Sequence, residues 1–293
     1  MADIAASVLT RLKNKAKETG RSYQLCLQLF CQEEFLRRLE KSKYAENFVL
    51  KGGLFIYSLT GFDSRVTVDV DFLLRQMPNT QEQLQAVLEE IIATPSENDF
   101  ITFEIKDVAP IAVAKKYTGI GASLVAHIKN TRTPFRIDFG VGDVIVPKQE
   151  KRKIPTQLDN FTSPTVNTYS LETTIAEKLA AILDLMEFSS RMKDYYDIYY
   201  LANKFDFDGA TLTKALKKTF ENRNLSNLDK KSDNIDKNEP PCIRTRSKTV
   251  PYRPRMRCLY PSRNRRQTYR TNRQRFQNVR QTLHGCYKAY FPQ

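Results

Sequence analysis

The stretch from Asn47 to Leu74, NFVLKGGLFIYSLTGFDSRVTVDVDFLL, changes its pattern twice. A short apolar run is broken by Gly52 and Gly53, and a dense apolar segment follows. This order predicts a strand, a glycine turn and a buried helix. From Val66 onward apolar residues alternate with polar ones, which predicts a second strand.

Two carboxylates share one face of this second strand. Because side chains on a strand repeat with period two, Asp69 and Asp71 point away from Val68, Val70 and Phe72. Mg²⁺ is usually held by one or two carboxylates together with water and substrate phosphates. A glycine turn that enters a helix exposes backbone N–H groups where a polyphosphate can bind. The pair is therefore either the polar face of an exposed strand or a Mg²⁺ site beside a phosphate-binding turn.

A family resemblance rests on these residues. Leu50-Lys51-Gly52-Gly53, the apolar helix and Arg65-x-Thr67-x-Asp69-x-Asp71-Phe72 resemble the signature of the AbiEii/AbiGii toxin family, which are nucleotidyltransferases of the DNA polymerase β-like superfamily. Leu54 stands where that family often has Thr or Ser. The resemblance implies that Lys51, Gly52, Gly53 and Arg65 bind the nucleotide, and that Asp69 and Asp71 bind Mg²⁺ or Mn²⁺.

Length and composition limit the class of protein. The chain has 293 residues, enough for one large or two ordinary domains. Since it shows neither a long apolar run nor a signal-peptide pattern, we predict a cytoplasmic protein without membrane contact. Five cysteines without a CxxC pair and only two histidines argue against zinc and for reduced thiols.

The order of elements predicts an α+β fold, with a polymerase β-like nucleotidyltransferase lobe around a mixed sheet followed by a mainly helical lobe. Helices are predicted at 4–19, at 21–41 and after a Thr80 N-cap, and strands at 101–105, 123–128 and 135–139. The polar, proline-containing segment 147–167 is predicted to link the lobes through loops and short extended pieces. The predicted divisions are 1–146 for the nucleotidyltransferase domain with its N-terminal helices, 147–221 for the helical lobe completing the active site, and 222–293 for the tail.

A third carboxylate lies on a later strand. Asp138 alternates with Phe135, Ile137 and Phe139, so it faces away from the apolar side. It resembles the third carboxylate of polymerase β-like enzymes, which implies metal binding or acceptance of the proton of the attacking hydroxyl. An ordinary strand aspartate is the alternative. Asp143 is predicted to be only a turn residue.

The helix predicted from Leu171 carries a second motif. Lys178 falls within its apolar stripe, where a lysine must snorkel or meet an anion. Ala176-Glu177-Lys178 resembles the family's AEK motif, whose lysine is thought to contact nucleotide phosphates. Arg191-x-Lys193-Asp194-x-x-Asp197 resembles its KDxxD motif, which implies that Asp197 orients Lys178 or the acceptor; Asp194 is either part of the site or a helix N-terminal acid.

The net charge of +14 lies entirely in the tail. Residues 222–293 hold 18 lysines and arginines and four acidic residues, and no acid occurs after Glu239. One interpretation is an RNA-binding tail that folds on contact. The other, which we favour, is an out-of-frame translation beginning near residue 223, because base preference and acid content change there together. The resemblance to the family covers roughly residues 20 to 221.

Together these patterns predict an enzyme that transfers NMP from an NTP to an acceptor hydroxyl. The resemblance implies that the acceptor is the 3′ end of tRNA and that the protein is the toxin of a toxin–antitoxin or abortive-infection system, restrained by a cognate antitoxin. The alternatives are NMP transfer to protein and a non-catalytic nucleotide- or RNA-binding protein with a degenerate site.

Overall fold

The computed structural model describes residues 3–61, 64, 66–111, 119–185 and 191–225, and this part of the chain has the predicted α+β fold. The tail beyond residue 225, with its two interpretations, and the predicted nucleotide ligand Arg65 lie outside the described residues. The described helices are α1 (Ile4–Thr19), α2 (Tyr23–Lys41), α3 (Gly52–Leu59), α4 (Gln81–Ala93), α5 (Leu171–Leu185), α6 (Met192–Lys204) and α7 (Gly209–Asn222). The described strands are β1 (Phe48–Lys51), β2 (Val70–Leu74), β3 (Ile101–Pro110), β4 (Ile120–Ile128), β5 (Thr131–Gly140), β6 (Glu150–Lys153) and β7 (Thr165–Thr168).

The strands form one mixed sheet in the order β3-β4-β5-β2-β1-β7-β6. β2 runs antiparallel to β1 and parallel to β5, and β1 runs parallel to β7. The strand, glycine turn and helix predicted from the opening stretch are β1, Gly52–Gly53 and α3. The sheet thus places β1, β2 and β5, which carry the predicted site residues, at its centre.

One face of the sheet packs against α2 through aromatic side chains. The Phe35 ring of α2 lies 6.5 Å from that of Phe72 and 6.4 Å from that of Phe135. Because Phe72 and Phe135 point into this core, Asp71 and Arg136, one position away in β2 and β5, point to the opposite face. The apolar side of the sheet therefore fixes which side chains are available for chemistry.

Side-chain caps begin several helices, among them the one predicted after Thr80. Thr80 accepts a hydrogen bond from the Gln83 N–H at the start of α4. Ser170 accepts one from the Thr173 N–H at the start of α5. Each cap satisfies a backbone donor that the first helical turn leaves without a partner.

A second, smaller hydrophobic cluster lies between α5, α6 and α7. It contains Ile175, Ile198 and Leu216, together with Ile56 of α3. The first cluster includes residues of the sheet and of α1, α2 and α4 and reaches Tyr169 at the end of β7. The change from one core to the other thus occurs at the start of α5.

The prediction that β2 begins at Val66 is wrong. The strand starts at Val70, and the Val66 and Val68 side chains are 50% and 41% exposed. The Val68 carbonyl accepts hydrogen bonds from the Gln28 and Gln32 side chains of α2, at 3.0 and 2.7 Å. Side chains of a helix therefore occupy this backbone acceptor before the chain joins the sheet.

The other strands are longer than predicted, because β3, β4 and β5 continue beyond the short apolar runs seen in the sequence. The segment 147–167 contributes β6 and the start of β7 to the sheet rather than only connecting the lobes. Its strands are short and polar, so they carry little of the alternating apolar signal that reveals a strand.

Candidate active site

A row of polar residues crosses the centre of the sheet. Lys51 of β1 pairs in register with Asp71 of β2, Asp71 with Asp138 of β5, and Asp138 with Gly121 of β4. Cross-strand partners share a face, so the two carboxylates are immediate neighbours. Asp69 lies just before β2 and is exposed. The structure thus brings together three carboxylates that are separated by up to 69 positions in the chain.

The electrostatics of Asp71 reflect this crowding. Burial raises the pKa of Asp71, and the neighbouring Asp138 and Asp69 carboxylates raise it further. The lysines 51 and 178 act in the opposite direction, but their effect is smaller than that of burial. A site of this kind favours an added cation, because a cation would relieve the repulsion between carboxylates.

The glycine turn lies directly against these carboxylates. Gly52 has φ +69°, and a Cβ atom there would lie 2.0 Å from Asp71 Oδ2. A Cβ atom on Gly53 would lie 2.6 Å from Thr67 Oγ1. Glycine at both positions therefore lets the start of α3 approach the carboxylate face, with its first backbone N–H groups near the site.

Lys51 is held by a residue for which we predicted no role. Its Nζ lies 2.7 Å from Asp143 Oδ2, and the Tyr169 hydroxyl donates to the same oxygen at 2.7 Å. Although burial acts to raise the pKa of Asp143, Lys51 and Tyr169 hold it below its usual range. The prediction that Asp143 is only a turn residue is therefore wrong, since no local pattern reveals a partner 92 positions away.

Lys178 meets anions, as its position in the apolar stripe requires. Its Nζ lies 2.9 Å from Asp194 Oδ1 and 2.6 Å from Asp197 Oδ2, and all three residues are buried. Arg191 Nε also donates to Asp194. Burial opposes ionisation of Asp194, but Lys178 and Arg191 keep its pKa below the usual range. The AEK and KDxxD segments thus form one ionic cluster that joins α5 to α6.

Glu177 and Arg223 are further site residues that we did not select from the sequence. Arg223, which follows α7, donates to Glu177 of α5, and its Nη2 lies 3.9 Å from Asp143 Oδ1. Burial and the nearby Asp143 raise the pKa of Glu177, while Arg223 lowers it. Glu177 stands within the AEK motif, so its position next to Lys178 was the available signal. Arg223 carries no sequence signal of a site.

A cavity of about 370 Å³ joins these groups. Most of the site residues predicted from the sequence line it: Lys51, Gly52, Gly53, Asp69, Asp71, Asp138, Lys178 and Asp194. Asp197 does not line the cavity and contacts it through Lys178. The other polar residues of the lining are Thr67, Tyr169, Thr174, Glu177, Arg191, Lys193 and Arg223. The cavity is strongly charged, with both signs present, which suits a polyphosphate with a cation.

The predicted metal ligands do not form a complete cage. Among the described residues no group of three or more His, Cys, Asp or Glu side chains is arranged to hold a metal ion. Asp138 Oδ1 accepts a hydrogen bond from Arg136 Nε at 2.7 Å. Asp69 and Asp71 nevertheless fit Mg²⁺, which needs only one or two carboxylates when substrate phosphates complete its shell.

A mixed sheet with a glycine turn, paired aspartates and a lysine from a following helical cluster defines a nucleotidyltransferase. A model of the family described as nucleotidyl transferase AbiEii toxin, type IV TA system, matches residues 34–278. The chain therefore belongs to the AbiEii nucleotidyltransferase toxin family. The match continues past residue 221, where the resemblance recognised in the sequence ends.

Two solved structures are similar to this chain, and the first of them, with a TM-score above 0.5, has the same fold. MenT4, nucleotidyltransferase toxin Rv2826c from Mycobacterium tuberculosis H37Rv, is 17% identical with a TM-score of 0.52, covering 70% of this chain and 68% of that one. JHP933 from Helicobacter pylori is 18% identical with a TM-score of 0.43, covering 73% of this chain and 80% of that one. No curated protein matches the chain.

Family membership makes this protein a nucleotidyltransferase of a type IV toxin–antitoxin system, which implies a nucleotide substrate and an antitoxin partner. Within the described ranges, none of the helices combines the length and the apolar character needed to cross a membrane.

Proposed function

We propose that the protein uses a divalent cation to transfer NMP from an NTP to an acceptor hydroxyl at the 3′ end of tRNA, releasing pyrophosphate. The observation that carries this proposal is the cavity in which the glycine turn, the Asp69/Asp71/Asp138 carboxylates and Lys178 meet. We propose the cytoplasm, where NTPs and tRNA are present, as its place of action, and a cognate antitoxin as the partner that restrains it.

Each group has a role that its position supports. The N–H groups at the start of α3 bind phosphate oxygens, and Lys51 lies beside them in the cavity. Asp69 and Asp71 would hold Mg²⁺ or Mn²⁺, which when bound supplies positive charge to the triphosphate. Asp138 is placed next to Asp71 to accept the proton of the attacking hydroxyl. The third Nζ–H of Lys178 remains for a phosphate oxygen after two serve Asp194 and Asp197.

We also propose that the enzyme works as two lobes, with a boundary later than residue 146. Two observations support a nucleotidyltransferase lobe that ends with β7 and a helical lobe that begins at Leu171: β6 and β7 belong to the sheet, and the second hydrophobic cluster forms mainly from α5 to α7. The cavity takes side chains from both lobes. Substrate binding between two lobes is common in enzymes.

The test is a transfer assay with each α-³²P-labelled NTP, Mg²⁺ and total bacterial RNA, in which RNA and protein are resolved separately. We expect label on small RNA with the wild type and none with Asp69→Ala/Asp71→Ala. The matched variant Asp99→Ala/Asp159→Ala removes two exposed aspartates that do not line the cavity, and it should label RNA like the wild type. Label on protein alone would show that the acceptor is protein and not tRNA. Nucleotide binding without transfer would indicate a degenerate site.

A further inference from the structure

A second cavity, of about 360 Å³, adjoins the first. The two share Asp69, which is exposed. We call the second cavity the β4–β5 groove; its lining includes Val68, Lys106, Ser123, Pro134 and Arg136. The groove therefore reaches the predicted reaction centre at the Asp69 carboxylate. None of the roles proposed above uses the groove itself.

The sheet order places this groove on a defined side of the carboxylates. The glycine turn belongs to β1 and α3, on one side of β2, whereas the groove is built largely from β3, β4 and β5 on the other. In phosphoryl transfer the attacking and leaving oxygens lie roughly in line across the phosphorus. If the leaving phosphates bind at the glycine turn, the acceptor hydroxyl must approach from the side of the groove.

The wall of the groove nearest the carboxylates is built around Arg136. Its Nε lies 2.7 Å from Asp138 Oδ1, and a Cβ atom on Gly121 would lie 1.8 Å from its Nη2. Glycine at position 121 thus leaves the space in which the guanidinium lies across β4. Because Arg136 is exposed, its remaining N–H donors can bind a phosphate while Nε orients Asp138.

The rest of the groove combines an exposed cation with apolar surface. Lys106 pairs with Glu104, and both side chains are more than two-fifths exposed, so the pair is weak and can exchange for a phosphate. Val68 is 41% exposed and Pro134 is exposed, which offers apolar contact to a sugar or a base. Two cations, a hydroxyl at Ser123 and exposed apolar side chains suit a nucleic-acid strand better than an uncharged polypeptide.

We infer that the β4–β5 groove binds the acceptor as a single-stranded nucleic-acid 3′ end, with Lys106 and Arg136 on its phosphates and its terminal hydroxyl beside Asp69 and Asp138. This inference rests on the proposed function and adds the route by which the acceptor reaches the site. Arg136 acts in addition as a positioning residue for Asp138.

The test measures the acceptor and the nucleotide separately. Lys106→Gln and Lys106→Glu are compared with Lys151→Gln and Lys151→Glu, because Lys151 is likewise an exposed strand lysine in a surface ion pair, but on β6 at the opposite edge of the sheet. The Lys106 variants should raise the KM for the acceptor RNA about three- and tenfold respectively, and the slope of log KM against log salt should fall by about 0.7 for one lost phosphate contact on a single strand. The KM for the NTP and the behaviour of the Lys151 variants should stay unchanged.

A binding measurement separates this inference from the proposed function. The fluorescence anisotropy of a fluorescein-labelled single-stranded RNA with a free 3′ hydroxyl reports binding without turnover. The affinities should rank the variants in the same order as their KM values for the acceptor RNA. Residues 226–293 are present in every variant, so only differences between variants are interpreted. If the wild type transfers NMP but the Lys106 and Lys151 variants behave alike in both assays, the groove assignment is wrong. If no transfer occurs while the Lys106 variants still bind this RNA more weakly, the proposed function fails and the groove assignment stands; transfer to protein alone would overturn both.

Discussion

Gly52 is the residue at which backbone conformation and chemistry depend on each other most directly. Its φ of +69° disfavours any L side chain, and the site of a Cβ atom is filled by the Asp71 carboxylate. Gly20, which caps α1, has nearly the same φ of +67° but has no atom within 4 Å of such a Cβ. Substitution of each glycine by alanine therefore separates the cost of backbone strain, which both share, from the cost of a steric contact with Asp71, which only Gly52 has.

We predict that Gly52→Ala destabilises the protein more than Gly20→Ala does. Gly20→Ala should cost about 1 kcal/mol, the usual cost of a left-handed backbone for a non-glycine residue. Gly52→Ala should cost at least about 2 kcal/mol more, because overpacking adds to that strain, and it should reduce transfer strongly by displacing Asp71. Urea denaturation and the transfer assay check both effects. Equal stability of the two variants would show that Asp71 moves aside freely.

At the scale of elements, buried polar clusters connect segments that are separate in the sequence. Lys178 links α5 to α6 through Asp194 and Asp197. In α2, Glu33 is buried beside Arg37, with Nη2 to Oε2 at 3.4 Å, and its Oε1 accepts a hydrogen bond from the Gln157 N–H. Both clusters are inside the protein, where losing one partner costs more than a surface pair contributes.

Lys178→Met should destabilise the protein by about 3 to 5 kcal/mol, because it leaves two buried aspartates without their shared cation. Lys218→Met is the matched change on α7: Lys218 pairs with Glu221 at 3.0 Å, but both are exposed, so its cost should be below about 1 kcal/mol. Thermal and urea unfolding of both variants provide the comparison. A small effect at Lys178 would mean that Arg191 alone neutralises the cluster.

Because the Glu33 carboxyl is buried, we predict that the stability of the protein depends on pH. Burial raises its pKa to about 8, although Arg37 and Gln157 lower it. Between about pH 5 and 8 the folded state therefore holds a proton that the unfolded state releases, so the free energy of unfolding falls as pH rises, by up to about 1.4 kcal/mol per pH unit for this one proton. Glu33→Gln should remove this part of the slope, whereas the exposed Glu18→Gln should not. Parallel curves for wild type and Glu33→Gln would contradict the assignment.

At the scale of the whole molecule, the residue that follows α7, Arg223, forms part of the cavity wall. This residue connects the end of α7 to Glu177 of α5 and approaches Asp143, which follows β5. Leu225 packs against the second hydrophobic cluster, and its N–H donates to the Phe220 carbonyl at 2.9 Å. The fold thus uses the chain through residue 225, slightly beyond the point near residue 223 where composition changes.

We predict that Arg223→Met loses stability relative to the wild type as pH rises from about 5 to 8. Burial and Asp143 already raise the pKa of Glu177, and loss of the guanidinium raises it further, so the unpaired carboxylate costs more at high pH, on the order of 1 to 3 kcal/mol. Arg223→Lys should retain most of the stability. Arg223→Met/Glu177→Gln should flatten the pH-dependent difference, and its persistence in the double variant would assign it to Asp143, the other carboxylate near Arg223.

The sequence alone determined the local features of this protein. Strand alternation, the double glycine, the cap at Thr80 and the apolar stripe of α5 depend on neighbouring residues, so they identified the elements, the paired aspartates and the need of Lys178 for an anion. The start of β2 escaped prediction because Gln28 and Gln32 of a distant helix bind the Val68 carbonyl.

Only the tertiary structure decided which charges meet. The Lys51–Asp143 and Glu177–Arg223 pairs, and the groove beside the carboxylates, depend on strand register and on the docking of α5 and α7. No periodicity encodes such contacts, because they join residues whose distance in space is set by the packing of the whole chain rather than by their separation along it.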